Sequence, residues 1–217
     1  MNGVKVVIVD YGLGNLFSVE RALRKLGCSN VLISDKPNDI RMADRLILPG
    51  VGAFGDGMNN LTLKGLTQVI AEATVSGVPL LGVCLGMQIL MSSSEEFGYH
   101  KGLDLVKGKV RRLKPSGDSR SKIPQIGWNS LYRPLDEVDP RNVWEGTLLQ
   151  YIRNGAFMYF LHSYVVEPSE SDITLSTTVY NGDSFCSAFS QDNITGVQFH
   201  PERSGEEGLE IYRAFIK

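Results

Sequence analysis

Cysteine, histidine and net charge are all scarce in this sequence. Its 217 residues include three cysteines, Cys28, Cys84 and Cys186, which cannot all pair within one chain. None belongs to a C-x-x-C arrangement, so a disulfide scaffold and a zinc or dithiol site are excluded as organising features. Free thiols imply a reducing compartment. No apolar run is long enough to span a bilayer, and the N-terminus runs straight into Val4-Lys5-Val6-Val7-Ile8-Val9 without the pattern of a signal peptide. A cytoplasmic protein is therefore expected. The formal net charge is only -2, and the densest basic stretch, Lys107–Lys114, reads as one solvated strand face, so a nucleic-acid footprint is excluded. No repeat, low-complexity tract or Pro/Gly/Ser-rich linker divides the chain, and one domain over residues 1–217 is expected.

The composition is 42% hydrophobic, enough for a substantial core, and its distribution is informative. Short apolar runs at Val4–Val9, Val31–Ser34, Arg45–Leu48 and Val78–Val83 alternate with helix-like patterns at Leu16–Leu26 and Leu61–Ser76. Continuous apolar runs suit strands covered on both faces, as in a parallel sheet. In the first helix, Val19, Ala22, Leu23 and Leu26 share one face, and Gly27 supplies a stop. The second half differs. Met158–Val166, Thr174–Tyr180, Ser184–Phe189 and Ile194–Phe199 are separated by turn signals such as Asn181-Gly182-Asp183, and read as antiparallel strands; Glu206–Ile216 closes the chain as a helix. The expected fold class is α/β: a mostly parallel open central sheet flanked by helices, with antiparallel strands added in the C-terminal half. Lys114–Lys122 reads as an exposed loop.

The richest segment is Gly82-Val83-Cys84-Leu85-Gly86-Met87-Gln88, where an apolar strand runs through Gly-x-Cys-x-Gly into a helix-like pattern at Met87–Ser93. Flanking glycines permit the sharp turn that lifts a nucleophile out of a sheet, and the start of a helix favours a thiolate. A free cysteine is most often a small buried hydrophobe, but two bracketing glycines at a strand end favour chemistry. A thiolate nucleophile needs a base, and of His100, His162 and His200 the last is best placed, following the strand Ile194–Phe199. In His200-Pro201-Glu202 the proline stiffens the backbone and residues two apart face the same side, so Glu202 can orient the imidazole. His162 reads as structural or as lying near the substrate, and His100 as exposed. Gly50 to Gly55 fits G-x-G-x-x-G, but the acidic residue expected at the end of the next strand is missing; that strand ends at Cys84. The loop reads instead as backbone N–H groups available to a developing negative charge.

Together, Pro49-Gly50-Val51-Gly52, Gly82–Gln88 and His200-Pro201-Glu202 resemble the triad-type (class I) glutamine amidotransferases. With Asp10-Tyr11-Gly12-Leu13-Gly14-Asn15-Leu16, Gly127-Trp128-Asn129 and Tyr159-Phe160-Leu161-His162-Ser163-Tyr164, the resemblance narrows to the glutaminase subunits of imidazole glycerol phosphate synthases. It covers nearly the whole chain. It implies a catalytic triad of Cys84, His200 and Glu202, an oxyanion hole from Val51, Gly52 and Leu85, and glutamine contacts from Gly50, Gln88, Glu96, Tyr159 and Ser163. It also implies a heterodimer with a (β/α)₈-barrel cyclase subunit in histidine biosynthesis, with Asn15 and Arg203 near the interface; Arg203 stands where many members carry lysine. No metal or organic cofactor is implied. The alternatives left by the sequence are a paralogue feeding ammonia to a sugar amidotransferase, a non-catalytic regulatory subunit, and a cysteine peptidase or acyl transferase on a similar fold. The long Arg133–Gly155 segment fits either a different partner or loop variation.

Overall fold

The computed structural model describes residues 3–115, 122–134 and 143–217. Much of the loop expected at Lys114–Lys122, and residues 135–142 of the long segment after Arg133, lie outside the described residues. The first half builds the strands β1 (Val6–Val9), β2 (Val31–Ser34), β3 (Arg45–Leu48) and β4 (Leu80–Val83) with the helices α1 (Leu16–Lys25), α2 (Pro37–Arg41), α3 (Phe54–Leu63), α4 (Leu66–Val75) and α5 (Leu85–Ile89). All four residues of β1 are fully buried. Burying each such side chain contributes about 1.5–3 kcal/mol, which is why these runs carry no polar alternation.

The second half adds β5 (Ser93–Ser94), β6 (His100–Lys101), β7 (Gly108–Arg112), β8 (Gln125–Ser130), β9 (Phe157–His162), β10 (Tyr164–Pro168), β11 (Thr174–Tyr180), β12 (Asp183–Gln191) and β13 (Ile194–Val197), and ends in α6 (Gly205–Phe215). Eleven strands form one sheet in the order β2-β1-β3-β4-β13-β12-β10-β7-β5-β6, with β11 on β12. Pairing is parallel from β2 to β13 and antiparallel from β13 through β12 and β10 to β7. The expected α/β class with added antiparallel strands is thus the observed one.

Several expectations are corrected. The single helical pattern at Leu61–Ser76 is two helices, parted at Gly65, whose φ of +66° a side chain would strain. The glycine-rich loop after β3 ends at Ala53, and Gly55 and Gly57 lie inside α3. The helix expected at Met87–Ser93 is the short α5. The run Met158–Val166 is two strands in different sheets: β9 pairs with β8 in a separate antiparallel ribbon, whereas β10 joins the main sheet. Arg111 is not on a solvated face: its guanidinium is bonded to Glu167 and Asp183. Of the Arg133–Gly155 segment, Trp144 and Leu149 are fully buried and tie it to the core.

The placement that matters most is the register of β13 on β4. Ile194 to Val197 lie beside Leu80 to Val83, so the residues after Val83 and Val197 leave the sheet side by side.

Candidate active site

Cys84 follows β4 and caps α5 with φ +54° and ψ −108°, a backbone that only a firmly held turn imposes on an L-residue. The turn is fixed from several sides. The Cys84 N–H donates to Val197 O at 2.8 Å, and α5 packs so closely on the end of β3 that a Cβ on Gly86 would lie 1.7 Å from Leu48 O. The thiol is buried, with Sγ 3.7 Å from Leu161 O and 3.7 Å from Gln198 Nε2.

His200 leaves β13 three residues after Val197. Its N–H donates to Tyr159 O at 2.9 Å and its carbonyl accepts from Ser204 Oγ at 2.6 Å, so the backbone is anchored on both sides. The ring Nδ1 lies 2.9 Å from Glu202 Oε1, and Tyr212 Oη donates to Glu202 Oε2 at 3.1 Å. Both side chains are nearly inaccessible, at 5% and 2%. Carboxylate and ring therefore form one buried unit held by α6. The other ring nitrogen, Nε2, has no hydrogen-bond partner among the described residues. Burial works against an imidazolium here, yet the His200 pKa is raised to about 10 by the neighbouring Cys84 and by Glu202. Cys84, His200 and Glu202 thus form one buried cluster in which the carboxylate orients the ring through Nδ1.

Beside Cys84 lies a cavity of about 210 Å³ bordered by Val51, Gly52, Leu85, Gln88, Glu96, Pro124 and the Leu161–Tyr164 strand ends. Gln88 is buried and donates through Nε2 to Tyr164 O at 2.9 Å and to Gln198 Oε1 at 3.2 Å. Glu96 accepts from the Phe54 N–H at 2.6 Å, and burial pushes its carboxyl above the usual range. Val51 and Gly52 are exposed at the rim. The Leu85 N–H, the expected oxyanion donor, donates to Gly50 O at 3.3 Å, so in this structure it is already engaged. Ser163 borders the cavity but Tyr159 does not: its ring stands edge-on to Trp128 and under Arg203, whose guanidinium carbon is 4.2 Å from the ring centre. Asn15 is exposed and its Oδ1 accepts from Ser18 N at the start of α1. His100, expected to be exposed, is half-buried against Phe54 and Gly55.

Two contributors escaped the sequence reading: Gln198 and the carbonyl of Leu161 both contact the thiol. His162, read as structural or near the substrate, borders the cavity. Gln198 had a readable signal: a polar residue between Val197 and Phe199 at the end of an apolar strand, two positions before His200. A carbonyl oxygen carries none.

The fold is shared with solved structures of low sequence identity. A glutamine amidotransferase from Thermotoga maritima matches with a TM-score of 0.63 at 19% identity, covering 98% of this chain and 84% of that one. PurLQS from the same organism matches at 0.67 and 19% identity, covering 99% and 98%. Sequence similarity is much higher to the imidazole glycerol phosphate synthase subunit HisH 1 of Legionella pneumophila strain Paris, 44% identical over 214 residues with 98% of each chain covered. The HisH subunits of Moorella thermoacetica and Chlorobaculum tepidum are 46% and 45% identical, covering 97% and 98% of this chain and 93% and 99% of theirs. The model of the class-I glutamine amidotransferases matches residues 7–217. With that match over nearly the whole length and those identities, the chain belongs to the class-I glutamine amidotransferase family, in the group of HisH subunits of imidazole glycerol phosphate synthase.

Proposed function

We propose that this chain, acting as one amidotransferase domain in the cytoplasm, hydrolyses glutamine to glutamate and ammonia with Cys84, His200 and Glu202, and passes the ammonia to a (β/α)₈-barrel cyclase subunit in histidine biosynthesis. The observation that carries the reading is the His200 ring, bonded through Nδ1 to a buried Glu202 while Nε2 is left for the strained Cys84.

The Cys84 thiolate attacks the side-chain carbonyl carbon of glutamine, and the carbonyl oxygen takes up the negative charge. As the C–N bond breaks, His200 gives its Nε2 proton to the departing nitrogen and ammonia leaves a glutamyl thioester. Neutral His200 then takes a proton from water, whose oxygen attacks the thioester and releases glutamate and thiolate. The N–H groups of Val51, Gly52 and Leu85 receive the oxyanion once the Gly50 carbonyl gives up the Leu85 N–H. Glu96 supplies a carboxylate for the α-ammonium of glutamine, and Gln88 and Ser163 border the rest of it; Gly50, expected there as well, is buried behind the cavity wall and meets the site through its carbonyl on the Leu85 N–H.

The HisH names of the relatives favour the histidine pathway over a sugar-modifying paralogue, and an intact Cys, His and Glu set argues against a non-catalytic role. A partner face is supported by exposed Phe17, Ile126 and Trp128 near Asn15 and Arg203, on α1, the β8–β9 ribbon and the 201–203 turn, elements that touch one another. The test is glutamate release from glutamine by the chain alone, by the chain with the cyclase and its ligand, and by Cys84→Ala. Activity that rises with the cyclase and is abolished by the substitution is expected. Activity indifferent to the cyclase points to the sugar-pathway partner, and none under any condition rejects the glutaminase reading.

A further inference from the structure

His162 borders the same cavity as Cys84 and has no part in the triad chemistry. Its Nδ1 lies 3.0 Å from Tyr164 O. A carbonyl oxygen only accepts, so Nδ1 carries the hydrogen, and in a neutral ring Nε2 is then a bare acceptor. Burial keeps the ring neutral, lowering its pKa to about 3 against the hydrogen bond to Tyr164 and with the help of the charge on His200. The orientation is fixed as well. Phe160 and Phe185 hold the ring with centroids at 5.6 Å and 5.3 Å.

Nε2 itself is buried and has no hydrogen-bond partner among the described residues. A buried acceptor left unpaired costs about 1–3 kcal/mol, a cost offset when a donor arrives. The neighbouring polar groups do not supply that donor: both Nε2 contacts of Gln88 go to Tyr164 and Gln198, and Glu96 is itself an acceptor. His162 lines the same cavity as Cys84, and the carbonyl of Leu161, the preceding residue, lies 3.7 Å from Cys84 Sγ, so this stretch of chain borders the space in which the scissile amide must lie. Of glutamine, glutamate and a γ-glutamyl ester, only glutamine brings N–H donors on the leaving group.

We propose that His162 Nε2 accepts a hydrogen bond from the side-chain NH₂ of glutamine, and so makes the site selective for an amide over an ester or the carboxylate product. The inference rests on the glutaminase reading and deepens it. An acceptor at this position recognises the substrate amide, keeps a hold on ammonia as the C–N bond breaks, and offers nothing to a glutamate carboxylate, which favours product release.

Two substitutions separate this role from a structural one. His162→Asn can keep the donor to Tyr164 O while deleting the Nε2 acceptor, whereas His162→Gln can keep an acceptor near Nε2 while losing the Nδ1 donor. In the complex with the cyclase, kcat/KM is measured for glutamine and for γ-glutamyl methyl ester, and their ratio is taken within each variant so that a reduced folded fraction cancels. His162→Asn is expected to lower the glutamine-to-ester ratio about 10–100-fold and to weaken inhibition by ammonia, while His162→Gln retains most of the ratio. Equal losses for both substrates in His162→Asn, or the same ratio in both variants, would overturn the assignment. If the unaltered complex releases no glutamate from glutamine, the glutaminase reading itself fails. If it does and the ratio does not move, only the role of His162 falls.

Discussion

At Cys84 the backbone holds a side chain where glycine would be more comfortable. A non-glycine residue at φ +54° and ψ −108° carries strain on the order of 1–3 kcal/mol, maintained by the Val197 hydrogen bond and the packing of α5 on β3. Cys84→Ala and Cys84→Gly should both abolish glutamate release, but the glycine variant should be more stable than the alanine variant by about 1 kcal/mol. Urea unfolding midpoints decide it, and equal midpoints would show that the strain does not reside here. His200 gives a second expectation. Its raised pKa depends chiefly on the charge available at Cys84, so in Cys84→Ala an NMR titration of the ring should show a clearly lower value than about 10. The sign carries over to stability. A raised folded pKa stabilises below the unfolded value near 6.5 and the gain is lost as pH rises through about 10, so the alanine variant should lack that alkaline decline. An unmoved His200 titration would mean the two side chains are uncoupled. The three positions of the proposed triad stand out in the sequence because their signals are local: glycines around Cys84, and a two-residue spacing from His200 to Glu202 across a proline. The engagement of the Leu85 N–H by Gly50 O was not, since a carbonyl's direction is set by the loop and not by residue type.

Among the elements, the antiparallel half is tied together by one cation. Arg111 on β7 bonds Glu167 on β10 and Asp183 at the start of β12, at 2.6 Å and 3.0 Å for the two Asp183 oxygens. The Asp183 side chain is only 3% exposed and also accepts the Lys114 N–H. Arg111→Met should therefore cost about 3–5 kcal/mol, mostly from the Asp183 carboxylate left buried without its counter-charge. The double variant Arg111→Met, Asp183→Leu should recover part of that loss, and unfolding free energies of the two variants check it. Burial pushes both carboxyls up, and Arg111 more than offsets this, so both lie below the usual range. Their contribution is present above about pH 4 and is lost as pH falls through the depressed values, a decline that Arg111→Met should blunt. Composition made Arg111 look solvated because a basic residue in a short strand is exposed by default; its burial follows from two acids 56 and 72 residues away. The same distance effect hid the strand order. Buried strands β1 to β4 announce themselves as apolar runs, but nothing in Ile194–Val197 names Leu80–Val83 as its neighbour, and nothing in Met158–Val166 marks the switch of sheets at Ser163.

For the whole molecule, the two tryptophans report on different places. Trp144, in the segment after Arg133, is fully buried, whereas Trp128 is 55% exposed on β8, edge-on to the Tyr159 ring that Arg203 covers. Trp128 lies next to the triad through short connections: Tyr159 O accepts the His200 N–H, and Arg203 follows Glu202 directly. The proposed ammonia-receiving cyclase, docked here, would seal this region against water, and a stable interface buries about 1,200–2,000 Å² in total. Aromatic and arginine side chains at its centre carry most of the affinity. Acrylamide quenching of tryptophan emission should therefore fall on adding the cyclase, and the change should vanish in Trp128→Phe, leaving only the protected Trp144. Arg203→Ala should weaken the complex by about 1–2 kcal/mol, measured by calorimetry, while leaving the Cys84 and His200 geometry in the free chain untouched. A complex that co-elutes yet leaves Trp128 as quenchable as before would place the partner on another face, and would require ammonia to leave Cys84 by a route that does not pass the β8–β9 ribbon.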